Sequence, residues 1–146
     1  MTNRQNCVLL FALADSQLWN RNDFIAWATK VGDVELLQEL RDADDMLAIL
    51  RGRLATTGTV LPESYGDLLG GLIWLRFERA QLSKDEAFTM LADAWDAYPP
   101  SRFDVEALAS IPPELEPHLS HLARLAEIRI GQLDPNQAPE KARLLD

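Results

Sequence analysis

Cysteine, basic residues and long apolar segments are scarce in this sequence, and each shortage excludes a class of protein. Cys7 is the only cysteine, so no disulfide can form within the chain, which fits a reducing cytoplasm. No apolar run approaches the roughly 18 residues that a membrane-spanning helix needs. The 14 basic residues are outnumbered by 23 acidic ones, giving a net charge of −9. This charge argues against binding to nucleic acid or to anionic lipid, because both attract basic surfaces.

Motifs of the common catalytic and phosphate-binding sites are also missing. The sequence contains no Gly-x-Ser-x-Gly, no Walker loop and no Gly-x-Gly-x-x-Gly. Cys7 lies in an apolar run, where a thiol is usually inert. We therefore expect no catalytic residue, no cofactor and no metal, and a role in binding rather than in catalysis.

Length and apolar content fit one folded domain. A chain of 146 residues that is 47% apolar has enough material for a core without metal or disulfides. Strand patterns are nearly absent, since only residues 57–61 suggest one and a lone strand has nothing to pair with. We predict an all-α fold, a compact single-domain bundle of about six or seven helices over residues 1–133, with a polar tail over 134–146.

Capping residues, glycines and prolines divide the apolar pattern into helices. The predicted N-caps are Asn20 or Asn22, Asp33, Asp42 and Ser83. The most apolar helix begins at Pro62, and we expect Gly70 and Gly71 to let a neighbouring helix approach it closely. Asp104 begins a short helix, and Pro112-Pro113 begins a long last one.

Two explanations are open for the apolar start of the chain. Residues 7–14 are apolar, and Ala12-x-Ala14 before Asp15 is typical of a signal-peptide cleavage site. The run is short and only Arg4 precedes it as a positive charge, which favours a buried first helix instead. We expect the buried helix and a cytoplasmic location.

Glu114, His118 and His121 are the best candidates for metal ligands. Their spacings of four and three place them on one side of a predicted helix, and two imidazoles with a carboxylate can bind zinc. The spacing differs from His-Glu-x-x-His, and no fourth ligand is identifiable. A place at the edge of the core explains both histidines without a metal.

Clustered carboxylates and one tryptophan are the candidates for a binding surface. The two acidic groups are Asp42, Asp44 and Asp45 at one helix start, and Glu86, Asp93 and Asp96 on one face of another helix. Acid–base catalysis needs a carboxyl in a pocket that shifts its pKa, and nothing in the sequence predicts such a pocket. Trp19 lies in a polar stretch, where it either staples the next helix or anchors a partner.

Part of the chain resembles a known family. A family of uncharacterised small bacterial all-helical proteins resembles this chain in three segments, which are Leu72-Ile73-Trp74-Leu75, Glu86-Ala87 through Ala92 to Pro99, and Ile111-Pro112. The segment Phe24-Ile25-x-Trp27-x-x-Lys30 is similar too. Small acidic proteins of this type look like immunity proteins, which neutralise toxins deployed against neighbouring cells. That family has no settled activity to carry over to this chain.

These observations lead to one expected function and two alternatives. We expect a bacterial protein-binding module, an acidic immunity protein that inhibits a basic toxin by steric and electrostatic occlusion. The predicted partner-binding residues are Trp19, Asp42, Asp44, Asp45, Glu86, Asp93 and Asp96. The alternatives are a helical scaffold or regulatory adaptor that self-associates, and a metal-dependent hydrolase.

Overall fold

The structure, a computed structural model, describes residues 3–101 and 112–133, with side chains described from residue 6 onward. Within these ranges it has seven α-helices and no strand, which confirms the all-α fold and the expected number of helices. The helices are α1 Asn3–Asp15, α2 Arg21–Val31, α3 Val34–Asp42, α4 Met46–Thr56, α5 Tyr65–Glu78, α6 Lys84–Ala97 and α7 Leu115–Gln132. None of the seven has both the length and the apolar character that crossing a membrane requires.

The chain divides into two compact units. The first contains α1 to α4 and the end of α7 from Ile128, and the second, Leu61–Glu127, contains α5, α6 and the rest of α7. The short helix predicted at Asp104 and the tail predicted over 134–146 lie outside the described residues.

Helix α1 supplies the largest part of the core of the first unit. The side chains of residues 8–13 are all buried, and α1 packs against α4. The apolar start of the chain is therefore a buried helix in this structure. Apart from Leu18 and Leu133, the other core positions come in pairs four residues apart, which places each pair on one helix face. These pairs are Phe24 and Ala28, Leu36 and Leu40, and Leu50 and Leu54.

The predicted N-caps Asp33 and Ser83 are confirmed, and of the two candidates for α2 the cap is Asn20, not Asn22. The prediction that Asp42 caps a helix is wrong. Asp42 is the last residue of α3, and the chain leaves that helix at Ala43, whose backbone is extended. Asp45 caps α4 instead, because its carboxylate accepts the N–H groups of Leu47 at 3.0 Å and Ala48 at 3.3 Å.

Helix α5 is the buried helix of the second unit, as its apolar sequence predicts, but it begins at Tyr65 and not at Pro62. Every residue from Tyr65 to Leu75 except Asp67 is buried. Gly70 lies against the indole of Trp95, and Gly71 lies against the backbone of Leu122 in α7. The glycines therefore allow the close helix approach that the sequence indicates.

An ion pair joins the start of α3 to α4. The carboxylate of Asp33 accepts the N–H of Leu36 at 3.0 Å and two hydrogen bonds from Arg53, at 3.1 and 3.3 Å. Burial raises the pKa of Asp33, but the Leu36 hydrogen bond and the guanidinium outweigh burial and hold the pKa below its ordinary 3.8. This carboxylate therefore stabilises the fold above pH 3.8, and the contribution is lost as pH falls through the lowered pKa.

Replacing Asp33 with asparagine should reduce the free energy of unfolding by about 1 kcal/mol at neutral pH. Asparagine caps a helix as well as aspartate does, so the loss reports the interaction with Arg53. The difference between wild type and D33N should shrink as pH falls below 3.8, which urea titrations at neutral and acidic pH will show.

Asp45→Asn is the matched control for this prediction, because Asp45 caps α4 without an ion pair to any described residue. We expect it to cost less than D33N at neutral pH. Equal losses in the two variants would contradict a stabilising role for the Asp33–Arg53 pair.

Candidate functional site

One of the two predicted acidic groups surrounds the connection between α3 and α4, in the first unit. Its members, Asp42, Asp44 and Asp45, are all exposed. Arg21 holds this connection in place, since its guanidinium donates to the backbone carbonyls of Leu40, Ala43 and Asp44. The carboxylates are thus displayed on a connection that is anchored to α2.

Two shallow grooves flank the same connection, and we call their combined lining the acidic surface. They have volumes of about 400 and 540 Å³. The charged residues that line them are Glu35, Glu39 and Asp42 in one groove, and Asp15, Arg21, Asp44 and Asp45 in the other. Six carboxylates therefore face the two grooves, with one guanidinium among them.

Some of these negative charges are compensated within the first unit, and others are not. Glu39 lies 3.7 Å from Arg53, and the carboxylate of Asp45 accepts two backbone N–H groups. The carboxylates of Asp42 and Asp44 make no hydrogen bond or ion pair with any residue that the structure describes. Their charge is available to a partner.

Trp19 lies outside the acidic surface. Its indole meets the ring of Phe24 edge-on, with centroids 5.2 Å apart. Trp19 precedes the N-cap Asn20, and Phe24 is the fourth residue of α2, so the pair forms a hydrophobic staple. Of the two roles that the sequence offered, the staple is present, and partner anchoring stays a prediction.

A third groove, of about 330 Å³, lies beside Trp19 in the first unit. We call it the tryptophan groove. Its lining includes Trp19, Asp23, Trp27 and Lys30, together with the end of α7 from Ile130 to Leu133. None of the residues that line the acidic surface lines this groove.

The second predicted acidic group lies on α6, in the other unit. Glu86, Asp93 and Asp96 are exposed, whereas the opposite face of α6 buries Ala87, Leu91 and Trp95. Glu86 belongs to a capping box, in which its carboxylate accepts the N–H of Ser83 at 3.0 Å. The backbone hydrogen bond of Ser83, and then its side-chain bond, lower the pKa of Glu86. Glu86 therefore has a structural role, and the binding role of this group stays a prediction.

The metal-ligand hypothesis depended on a helix that contains Glu114, His118 and His121. Helix α7 begins at Leu115, so Glu114 precedes it and the spacing argument does not hold for that residue. Across residues 3–101 and 112–133, no three His, Cys, Asp or Glu side chains are grouped so that they could hold a metal ion.

Three acidic residues of the acidic surface, Glu35, Glu39 and Asp15, were not among the predicted partner-binding residues. Glu35, Glu39 and Asp42 follow each other at spacings of four and three, so their position on one face of α3 was readable from the sequence. Asp15 belongs to the end of α1 and reaches the same groove as Asp44 only through the packing of α1 against α4. No local sequence pattern indicates that neighbourhood.

The acidic surface is open and strongly charged, whereas small-molecule sites are usually concave, enclosed and mostly apolar. Its chemistry suits electrostatic recognition of a cationic surface. Comparison with models of known protein families, with curated proteins and with solved structures finds no match to this chain.

Proposed function

We propose that this protein binds a basic protein through its acidic surface and acts as a bacterial immunity protein that inhibits a toxin in the cytoplasm. The observation that carries the proposal is the pair Asp42 and Asp44, whose exposed carboxylates lack partners among the described residues. Four further carboxylates line the same two grooves. The net charge of −9 adds long-range attraction for a cationic partner.

The proposed mechanism is occlusion. Carboxylates of the acidic surface enter the cationic cleft with which the toxin binds phosphate groups, and the body of the first unit blocks access to that cleft. Arg21 anchors the connection between α3 and α4 before binding. Less conformational freedom is therefore lost on association than with a free loop.

The proposal also includes the second acidic group and Trp19 as partner-binding residues, and each needs a test of its own. Asp93 and Asp96 are exposed on α6 and have no partner among the described residues. They belong to a different unit from Asp42 and Asp44, so variants must test each group by itself. The alternative of a self-associating scaffold is favoured by a different feature, the tryptophan groove.

Reversing the charge of the acidic surface should weaken binding of the partner. The probe is the purified product of the adjacent gene, tested by calorimetry and by rescue of growth when the two genes are expressed together. Asp42→Lys and Asp44→Lys should each lower the affinity about tenfold and reduce its salt dependence, because they place positive charge against a cationic cleft.

Glu63→Lys is the matched control, since Glu63 is exposed, lies outside both acidic groups and undergoes the same change of charge. We expect it to keep affinity within about threefold of wild type. Asp93→Lys and Asp96→Lys then decide whether the α6 group contributes. The proposal fails if the adjacent gene product does not bind and growth is not rescued, or if Glu63→Lys weakens binding as much as Asp42→Lys.

A further inference from the structure

One face of α2 forms one wall of the tryptophan groove, and the end of α7 from Ile130 to Leu133 lines the groove beside it. Asp23, Trp27 and Lys30 follow each other at spacings of four and three, so they form one stripe along the helix, with Ala26 beside them. The buried residues Phe24 and Ala28 lie on the other side of α2. Asp23, Ala26 and Lys30 are exposed, and Trp27 is half-buried.

Trp27 is held in position at the centre of this face. Its indole N–H donates to the backbone carbonyl of Leu133 at 2.9 Å, which attaches α2 to the end of α7. The remaining indole surface lines the groove together with Ile130 of α7. A fixed, partly exposed indole offers a large apolar contact that loses little conformational freedom on binding.

Opposite charges flank this centre. The carboxylate of Asp23 accepts the N–H of Asn20 through one oxygen, at 2.8 Å, and its other oxygen has no partner among the described residues. The ammonium of Lys30 makes no hydrogen bond or ion pair with any residue in the described ranges. The two residues are seven positions apart, which is about 10 Å along a helix axis.

This arrangement is complementary to itself. The midpoint between Asp23 and Lys30 falls between Ala26 and Trp27. If a second α2 packs antiparallel about a two-fold axis through that midpoint, its Lys30 faces Asp23 and its Asp23 faces Lys30. Both charges then find partners, both Trp27 rings meet near the axis, and the small Ala26 side chains let the helices approach.

We propose that the tryptophan groove is the interface for a second copy of this chain. The charge pattern favours a second copy, because each copy contributes one carboxylate, Asp23, and one ammonium, Lys30, and together these four groups form two ion pairs. Trp19 precedes the first turn of α2, where Asp23 lies, and its indole can receive the incoming ammonium as a cation–π partner. The tryptophan groove and the acidic surface have no lining residue in common. The inference does not rest on the proposed function.

The test is the mass of the full chain in solution, measured by sedimentation over a range of concentrations. Wild type should reach twice the 16.4 kDa of one chain. Lys30→Glu should raise the dimer dissociation constant about 100-fold or more, because two carboxylates then face each other at both ends of the interface. Ala26→Arg should have a similar effect, since Ala26 is exposed in the single chain and the arginine places a long charged side chain at the axis.

Arg41→Glu is the matched control. Arg41 is exposed in the last turn of α3 and has no partner among the described residues. Arg41→Glu therefore changes the net charge by the same amount as Lys30→Glu, and like it replaces a basic residue with an acidic one near the end of a helix. It should remain a dimer. Circular dichroism of each variant checks that the helices are retained.

A mixture of Asp23→Lys and Lys30→Glu chains provides the sharpest result. Each variant alone should be monomeric, and the mixture should form a heterodimer, because both ion pairs then join opposite charges again. The proposal is overturned by a monomeric wild type, by Lys30→Glu or Ala26→Arg dimers of undiminished affinity, or by folded variants that stay monomeric when mixed. If Asp23→Lys does not fold, because it also removes a carboxylate from the capping box of α2, the other two variants decide the outcome.

Discussion

Replacing Gly71 with alanine should destabilise the second unit by about 3 kcal/mol, because overpacking of a core helix contact forces backbone shifts. A Cβ atom at Gly71 would lie 2.5 Å from the carbonyl oxygen of Leu122 and 2.7 Å from its carbonyl carbon. Both are backbone atoms of α7, which cannot rotate away as the end of a flexible side chain can. Urea unfolding followed by circular dichroism measures the change.

Gly52→Ala is the control within the same chain. Gly52 lies inside α4, and a Cβ atom there meets nothing within 4 Å. Alanine should therefore stabilise the protein by about 0.5–1 kcal/mol, since glycine loses more conformational freedom in a helix. Replacing glycine with alanine should therefore lower the free energy of unfolding at position 71 and raise it at position 52. A neutral Gly71→Ala would show that α5 does not approach α7 as closely as described.

The other large effect is expected at Trp95, the side chain that joins α6 to α5. Trp95 is only 2% exposed, and its indole N–H donates to the carbonyl of Gly66 at 2.9 Å. Trp95→Ala should lower the free energy of unfolding by about 3–5 kcal/mol, because it leaves a cavity against Gly70. Trp95→Phe keeps part of the ring but loses the buried hydrogen bond, and should cost about 2 kcal/mol.

Trp19→Phe serves as the comparison for Trp95→Phe. Trp19 is half-buried, and a phenylalanine can still pack against Phe24 at the start of α2. Its cost should stay below about 1 kcal/mol. Denaturant titrations of the three variants should rank Trp95→Ala above Trp95→Phe, and Trp95→Phe above Trp19→Phe. Equal costs for the two phenylalanine variants would argue against the buried hydrogen bond to Gly66.

The helix caps show where sequence reasoning succeeds and where it stops. Ser83 was identifiable because its side chain accepts a backbone N–H three residues ahead, and the side chain of Glu86 accepts the N–H of Ser83 in return. For α2 the sequence left Asn20 and Asn22 open, and the structure has Asn20 as the cap. Near the start of α4 three aspartates could each act as the cap. Asp45 is the cap because α3 continues as far as Asp42. The connection after α3 is held by Arg21, whose guanidinium donates to backbone carbonyls 19 to 23 residues further along the chain, and local sequence does not indicate these hydrogen bonds.

The candidate site shows the same limit. The acidic row of α3 follows from helical spacing alone, and Glu35 and Glu39 could have been included. The neighbourhood of Asp15 and Asp44 could not, because those residues belong to different helices. The metal hypothesis likewise assumed that the last helix begins at Pro112, whereas α7 begins at Leu115. The two prolines do not by themselves determine at which residue the helix begins.

Helical class, the helix caps Asp33 and Ser83 and the acidic balance of this protein could be read from its residues. A helix cap depends on side chains within four positions, and net charge is a matter of counting. The sequence alone did not show that the two acidic groups belong to separate units, which residues pack against Gly70 and Gly71, or where the grooves beside α2 and α3 lie. These features arise where segments far apart in the chain come together, and the side chains that meet there leave no periodic pattern in the sequence.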